Sequence, residues 1–260
     1  MRSGITAAVL AVLTTTAAFG SARAVDLTLG LGAAYAPDYE GSEDYQAAPL
    51  WNLRLGDLYG EETFVQNIGT SLSSNLLPDE HWRLGVAGLY KPDYDNVDNN
   101  RVEDVKSTEQ ALLLGPTLGY DFVTGIARDF AVEVDALYDV ANGNGGVVTP
   151  RLRGKTELAP GLIGEARLST TWASGDYMGN FFSINSADAA RSGLDTYDAD
   201  EGIKDVTIGG SMTYRFTPHW SLTGIAAYSR LLGDAADSPI VDDEGNENQL
   251  FAGALINYRF

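Results

Sequence analysis

Between residues 204 and 231 the chain reads KDVTIGGSMTYRFTPHWSLTGIAAYSRL. Val206, Ile208, Gly210, Met212, Tyr214 and Phe216 share one parity, while Thr207, Gly209, Ser211, Thr213 and Arg215 take the other. Thr217-Pro218-His219 breaks the pattern, and Trp220, Leu222, Gly224, Ala226 and Tyr228 resume it. Alternation, a tight turn and the same alternation again predict a β-hairpin with one apolar face. Its rings gather at the ends of the apolar stripe: Tyr214, Phe216 and Trp220 near the turn, Tyr228 at the far end. Ring side chains favour the boundary between water and lipid, with small apolar residues between them. Taken alone, this hairpin would suit a soluble sandwich equally well. The rest of the chain decides against that.

The alternation recurs from one end of the chain to the other. Leu27, Leu29, Leu31, Ala33 and Tyr35 form a first stripe, and Trp51, Leu53 and Leu55 a second. Two short, weakly patterned strands fit 62–67 and 69–76. Trp82, Leu84, Val86, Gly88 and Tyr90 mark a fifth. Leu112, Leu114, Leu118, Tyr120 and Phe122 mark a sixth, interrupted by Pro116, which cannot donate to a strand ladder. Phe130, Val132, Val134, Ala136 and Tyr138 form a seventh, 147–158 an eighth, and Leu162, Ala166, Leu168 and Trp172 a ninth. With the hairpin and the closing segment 247–260, the pattern predicts about twelve strands.

Connection lengths alternate as well. Short links fall at 77–81, 123–128, 159–160 and 217–219, longer ones at 37–44, 92–109, 140–146, 174–203 and 232–247. Bacterial barrels have short periplasmic turns and longer external loops, whereas a sandwich has no reason to sort its loops this way. The expectation is a single all-β domain over 25–260, a transmembrane antiparallel β-barrel in the cell outer membrane with both termini periplasmic. Trp51, Trp82, Trp172 and Trp220 should then lie near the membrane boundaries.

Residues 1–24 read as an export signal instead. Arg2 gives a positive start, 5–19 is apolar and threonine-rich, and Ala22-Arg23-Ala24 fits the small-x-small rule, so cleavage is expected after Ala24. The run is too short and too interrupted for a spanning helix, and no later apolar run reaches that length. There is no cysteine, hence no lipidated terminus and no disulfide. Without Arg2 and Arg23, 15 basic side chains face 36 acidic ones, a formal charge of −21. That sign argues against a nucleic-acid partner. The 29 glycines exceed the usual share of about 7%.

The segment Tyr228-Ser229-Arg230-Leu231-Leu232-Gly233-Asp234-Ala235-Ala236-Asp237-Ser238-Pro239 resembles the MipA/OmpV family of outer-membrane proteins. So do Lys204-Asp205-Val206, His219-Trp220-Ser221-Leu222, Tyr35-Ala36-Pro37-Asp38-Tyr39-Glu40-Gly41-Ser42, and Leu76-Leu77-Pro78 before Trp82-Arg83-Leu84-Gly85. The likeness runs over the whole chain after the signal and is densest at 204–260. It implies a barrel without enzymatic activity or cofactor, one family member being a scaffold for a murein transglycosylase and a penicillin-binding synthase. Other members are linked to osmotic adaptation, adhesion or uptake. Membership implies place and architecture more firmly than activity.

The candidate functional residues divide into three sets. Ile256, Tyr258 and Phe260 share one parity and end the chain on an aromatic ring. This resembles the signal that outer-membrane barrels present to their assembly machinery. The inward parity of strands seven to nine carries Glu133 and Asp135, then Arg151, Arg153 and Lys155, then Glu165 and Arg167. Cross-strand ion pairs can form between such rows; they either fill the lumen or line a narrow channel for small polar solutes. The long loops hold Asp38, Glu40, Glu43 and Asp44 at one end of the chain, and Asp234, Asp237, Asp242, Asp243 and Glu244 at the other. These are either a solvated surface or a place where divalent cations meet lipopolysaccharide phosphates. The two histidines, His81 and His219, each precede a Trp at a short turn and form no nucleophile–base constellation. A scaffold role meets one difficulty. Short turns offer little area, and a stable interface buries about 800 Å² per partner; the turn around 55–62 is the largest available.

Overall fold

The computed structural model describes residues 25–124 and 128–260. The expected signal and its cleavage site after Ala24, and residues 125–127 of one expected turn, lie outside the described residues. Twelve antiparallel strands form a closed barrel in sequence order. They are β1 Asp26–Pro37, β2 Tyr45–Gly56, β3 Phe64–Ile68, β4 Ser71–Asn75, β5 Trp82–Lys91 and β6 Ala111–Thr124. The second half comprises β7 Arg128–Asp139, β8 Gly146–Ala159, β9 Leu162–Ala173, β10 Gly202–Arg215, β11 Trp220–Leu231 and β12 Asn248–Arg259. The period-two pattern turns one side chain of each pair to the outer wall. Leu31 is 76% exposed there, and Leu84, Leu118, Ile208, Met212 and Ile256 also lie bare. So continuous an apolar outer surface is stable only against lipid.

Closure joins β1 to β12, with Leu29 opposite Tyr258 and Tyr35 opposite Ala252. A Cβ at Gly32 would stand 1.8 Å from the Ala254 carbonyl oxygen, so only glycine lets these two strands approach. Every backbone group at this seam must be paired if it lies in hydrocarbon, which is why a spanning sheet closes. Pro116 behaves as its chemistry requires. It still faces Val86 of β5, but the β6–β7 ladder runs from Leu114–Tyr138 to Thr117–Asp135 with no pair between.

Trp51 lies mid-strand in β2, opposite Leu31, and its carbonyl accepts from the Gly69 N–H of the turn at 69–70. Its indole N–H donates to Asn67 Oδ1 at 2.6 Å. The sorting of loops by length has an exception. β3 and β4 have five residues each and turn at 69–70, on the same end as the long loops. The upper part of β2 therefore outruns its neighbour. β3 pairs only with Asn52–Gly56, and Tyr45–Leu50 pair with β1 alone.

Three of the long connections carry small helices. α1 (Asn100–Glu103) lies in the loop after β5, α2 (Gly175–Phe182) and α3 (Ser186–Ser192) in the loop after β9. A 3-10 turn (Gly233–Ala235) and α4 (Pro239–Asp242) follow β11. Among the described residues, no helix is long and apolar enough to cross a membrane.

Candidate functional site

The two ends of the barrel differ in kind. At the end away from the termini, the long loops fold into a cap with its own apolar core. Tyr39, Tyr94, Val102, Val105, Ile184, Leu194, Ile240 and Val241 are buried together there with the inner face of α2. α2 starts where Ser174 Oγ accepts from the Tyr177 N–H, and it buries Tyr177, Met178, Phe181 and Phe182. Those positions fall on one helical face. Each fully buried side chain of this size contributes about 1.5–3 kcal/mol. Hydrogen bonds stitch the loops across the barrel axis. Tyr94 Oη donates to the Phe181 carbonyl at 2.7 Å, and Ser238 Oγ to the Phe182 carbonyl at 2.6 Å. The Arg101 guanidinium donates to the carbonyl oxygens of Ser192 and Gly193 and pairs with Glu244.

Glu40 anchors the cap to the wall. Its carboxylate pairs with Lys91 at the end of β5 and with Lys204 at the start of β10. Lys204 also reaches Asp205 at 2.6 Å. The Lys91 ammonium donates to Tyr177 Oη at 2.9 Å and stands 3.9 Å from the centre of the Phe181 ring. One cation thus meets a carboxylate, a phenol and a π face. Burial alone pushes the Glu40 carboxyl up, but Lys204 and Lys91 more than reverse this and hold it at about 2. Burial also raises the phenols of Tyr39, Tyr94 and Tyr177, so all three stay neutral. The acidic loops are therefore not simply a solvated surface. Glu40, Glu244 and Asp38 hold loop to loop or loop to wall, Asp38 accepting from the Asp98 N–H at 2.7 Å. Among the described residues, no three His, Asp or Glu side chains converge as a metal site.

At the termini end the lumen opens into a vestibule of about 710 Å³. The inward charges of strands seven and eight meet in one network. Arg153 is buried and bridges Glu133 at 3.1 Å and Asp121 at 2.7 Å; Arg151 bridges Asp135 at 2.9 Å and Glu133 at 3.5 Å. Arg83 of β5 joins through Asp121. Arg83 and Asp121 were missed in the sequence, although Asp121 has the inward parity between Tyr120 and Phe122. Glu165 and Arg167 pair with each other at 2.5 Å. Lys155 and Arg215 also line the vestibule. Arg54 donates to Gln66 Oε1 and lies 4.0 Å from the centre of the Phe64 ring. Above the vestibule, Leu255, Leu50 and Ala34 with Ile68, Ile225 and Phe251 form an apolar shelf inside the wall. Among the described residues, eight basic side chains and five acidic ones line this space, the reverse of the chain's overall balance.

The chain end sits on the outer wall at the same level. Ile256 is bare; Tyr258 stacks on His219 at 5.7 Å and meets the edges of Trp220 and Phe260. The Phe260 N–H donates to the Leu27 carbonyl at 3.0 Å, tying the last residue to β1. Each histidine Nδ1 faces a backbone carbonyl, His81 that of Asp121 and His219 that of Arg259.

A family model described as MltA-interacting protein MipA matches residues 29–260. The chain belongs to this family. It is an outer-membrane type of transmembrane β-barrel, as the closed sheet and its bare apolar belt require. Outer membrane protein OmpV of Vibrio cholerae is 29% identical over 206 residues, covering 78% of this chain and 69% of that protein. The MltA-interacting protein of Escherichia coli K12 is 27% identical over 237 residues, 83% of each chain. In three dimensions the barrel is similar to an outer membrane channel from Pseudomonas putida F1. The TM-score is 0.50 at 12% identity, over 94% of this chain and all of that one. That likeness speaks to fold alone.

Proposed function

We propose that this MipA-family barrel is a non-enzymatic scaffold of the cell envelope that works from the end carrying its termini. The observation behind this reading is the asymmetry of the ends: a cap with a packed core at one, an open charged vestibule at the other. The cap packs across one end of the lumen, so in this reading the working surface is the open end. That end is periplasmic in this reading, because an even number of strands puts both termini on one side and the short turns lie there. The partner class is a murein transglycosylase, in line with the name of the Escherichia coli relative, together with a penicillin-binding synthase, which the family resemblance implies. Lipopolysaccharide would surround the cap, and the barrel assembly machinery would deliver the chain.

The docking face is the rim of the vestibule together with the turn at 57–63, where Tyr59 is 60% exposed. No turn alone supplies the roughly 800 Å² of a stable interface, so several must act together. Non-enzymatic work fits the histidines, whose rings bond to backbone carbonyls rather than to a nucleophile. A second reading, a narrow channel for small polar solutes, draws on the basic wall of the vestibule.

Planar-bilayer recording on the purified protein separates the two. A silent barrel that binds a purified lytic transglycosylase in solution supports the scaffold. Discrete conductance steps that change when Arg151, Arg153 or Arg167 is neutralised would establish the channel and displace the scaffold.

A further inference from the structure

Half a barrel away from the chain end, the same arrangement of residues occurs a second time. Asp79, His81, Trp82, Leu84 and Tyr90 stand where Thr217, His219, Trp220, Leu222 and Tyr228 stand, at one constant sequence offset. At that same offset, Leu118, Tyr120 and Phe122 at the end of β6 match Ile256, Tyr258 and Phe260 at the end of β12. The geometry is duplicated down to single bonds. Trp82 pairs with Tyr120 as Trp220 pairs with Tyr258. The Asp121 N–H donates to the His81 carbonyl at 2.7 Å, and the Arg259 N–H to the His219 carbonyl at 2.8 Å. Each histidine stacks on its tyrosine at 5.7 Å, with interplanar angles of 18° and 20°. Phe122 meets Tyr120 edge-on at 4.9 Å, and Phe260 meets Tyr258 edge-on at 4.8 Å. Even the turn caps agree: Asp79 accepts from the N–H groups of His81 and Trp82, Thr217 from those of His219 and Trp220.

A general need for rings at the membrane boundary does not explain this. The turn at 160–161 lies at the same end and is flanked by Leu158 and Leu162 instead. Nor does β6 have a closing task, since β5 and β7 pair with it on either side. The barrel is two six-stranded halves whose last strands end alike. We propose that Leu118, Tyr120 and Phe122 form a second, internal address for the barrel assembly machinery, presented when the first six strands have arrived. The partner is the strand-accepting surface that reads the terminal Ile256, Tyr258 and Phe260, and it would bind by adding a strand to an open edge. The benefit is kinetic. β1 closes with β12 across the whole chain, and such distant pairing is slow and leaves edges open meanwhile. A hold at the midpoint shortens that exposure. The proposal rests on the terminal residues being an assembly signal, and the experiment tests the two separately.

Three variants are compared in cells and after refolding in detergent: Phe122→Ala, deletion of Phe260, and Phe130→Ala. Phe130 is the control, an exposed ring directly across the ladder from Phe122. The expected result is a several-fold fall in outer-membrane level for the first two, with Phe130→Ala near the parent and all three refolding alike. A peptide of residues 112–122 should also slow assembly of the parent barrel by purified machinery, and a scrambled peptide should not. If Phe260 deletion lowers the level while Phe122→Ala matches Phe130→Ala, and the peptide is inert, the internal address is wrong and the terminal one stands. If Phe260 deletion has no effect, the terminal reading fails and takes this one with it. If Phe122→Ala refolds as poorly in detergent as it assembles in cells, Phe122 is a structural residue only.

Discussion

Glu40 is the residue on which the capped end turns. Its carboxyl is held at about 2 against an ordinary 4.5, because Lys204 and Lys91 outweigh the cost of enclosing it. In an opened cap the group would be solvated and regain its ordinary value. The ionised form therefore stabilises the closed cap fully above pH 4.5, and that contribution is lost as pH falls from there through about 2. The loss is on the order of 3 kcal/mol. Protease cleavage within the long loops, measured against pH, should stay slow at neutral pH and rise across that acid window. Glu40→Gln should remove most of the acid dependence and leave cleavage fast throughout; unchanged protection in that variant would sink the assignment. The sequence displayed Glu40 as one of several loop acids, with nothing to single it out. Its partners Lys91 and Lys204 are distant in the chain, and only the closed barrel brings them together. The lumen charges were more legible, since strand parity alone sends Glu133, Arg151 and Arg153 inward.

At the level of elements, strands and loop helices differed sharply in how far the chain announced them. Long strands such as β10 and β11 impose a period-two pattern that survives any tertiary context. α2 gives no such warning: a helix of eight residues is unstable by itself and exists because the cap covers it. Its signal was present only as Tyr177, Met178, Phe181 and Phe182 at helical spacing within a segment rich in Gly and Ser. Phe181→Ala should therefore act locally. Truncating a fully buried ring costs about 3–5 kcal/mol, and it also removes the π face beneath Lys91. The expected outcome is rapid proteolysis of the long loops while the barrel keeps its heat-modifiable migration on gels. Loss of that migration would mean that cap and wall fold as one unit.

On the scale of the whole molecule, alternating strands and terminal rings were enough to anticipate the closed twelve-stranded wall, but its height was not. Two five-residue strands, β3 and β4, look like weak patterning in a sequence, and in the barrel they become a dip in the rim. Each spans about 17 Å, whereas the apolar band of such barrels is about 25 Å tall. Beside the dip, β2 continues as Tyr45–Leu50 with one edge unpaired, and Pro49 in that stretch has no N–H to leave unsatisfied. Lipid on this side meets a wall too low for it. The expected response of the bilayer is to thin beside β2, which would make shorter-chained lipid the preferred neighbour there. Unassisted insertion into vesicles should speed up as acyl chains are shortened, and lengthening the β3–β4 hairpin by two residues on each strand should flatten that dependence. Equal rates across chain lengths would show that the cap, not the lipid, fills the gap.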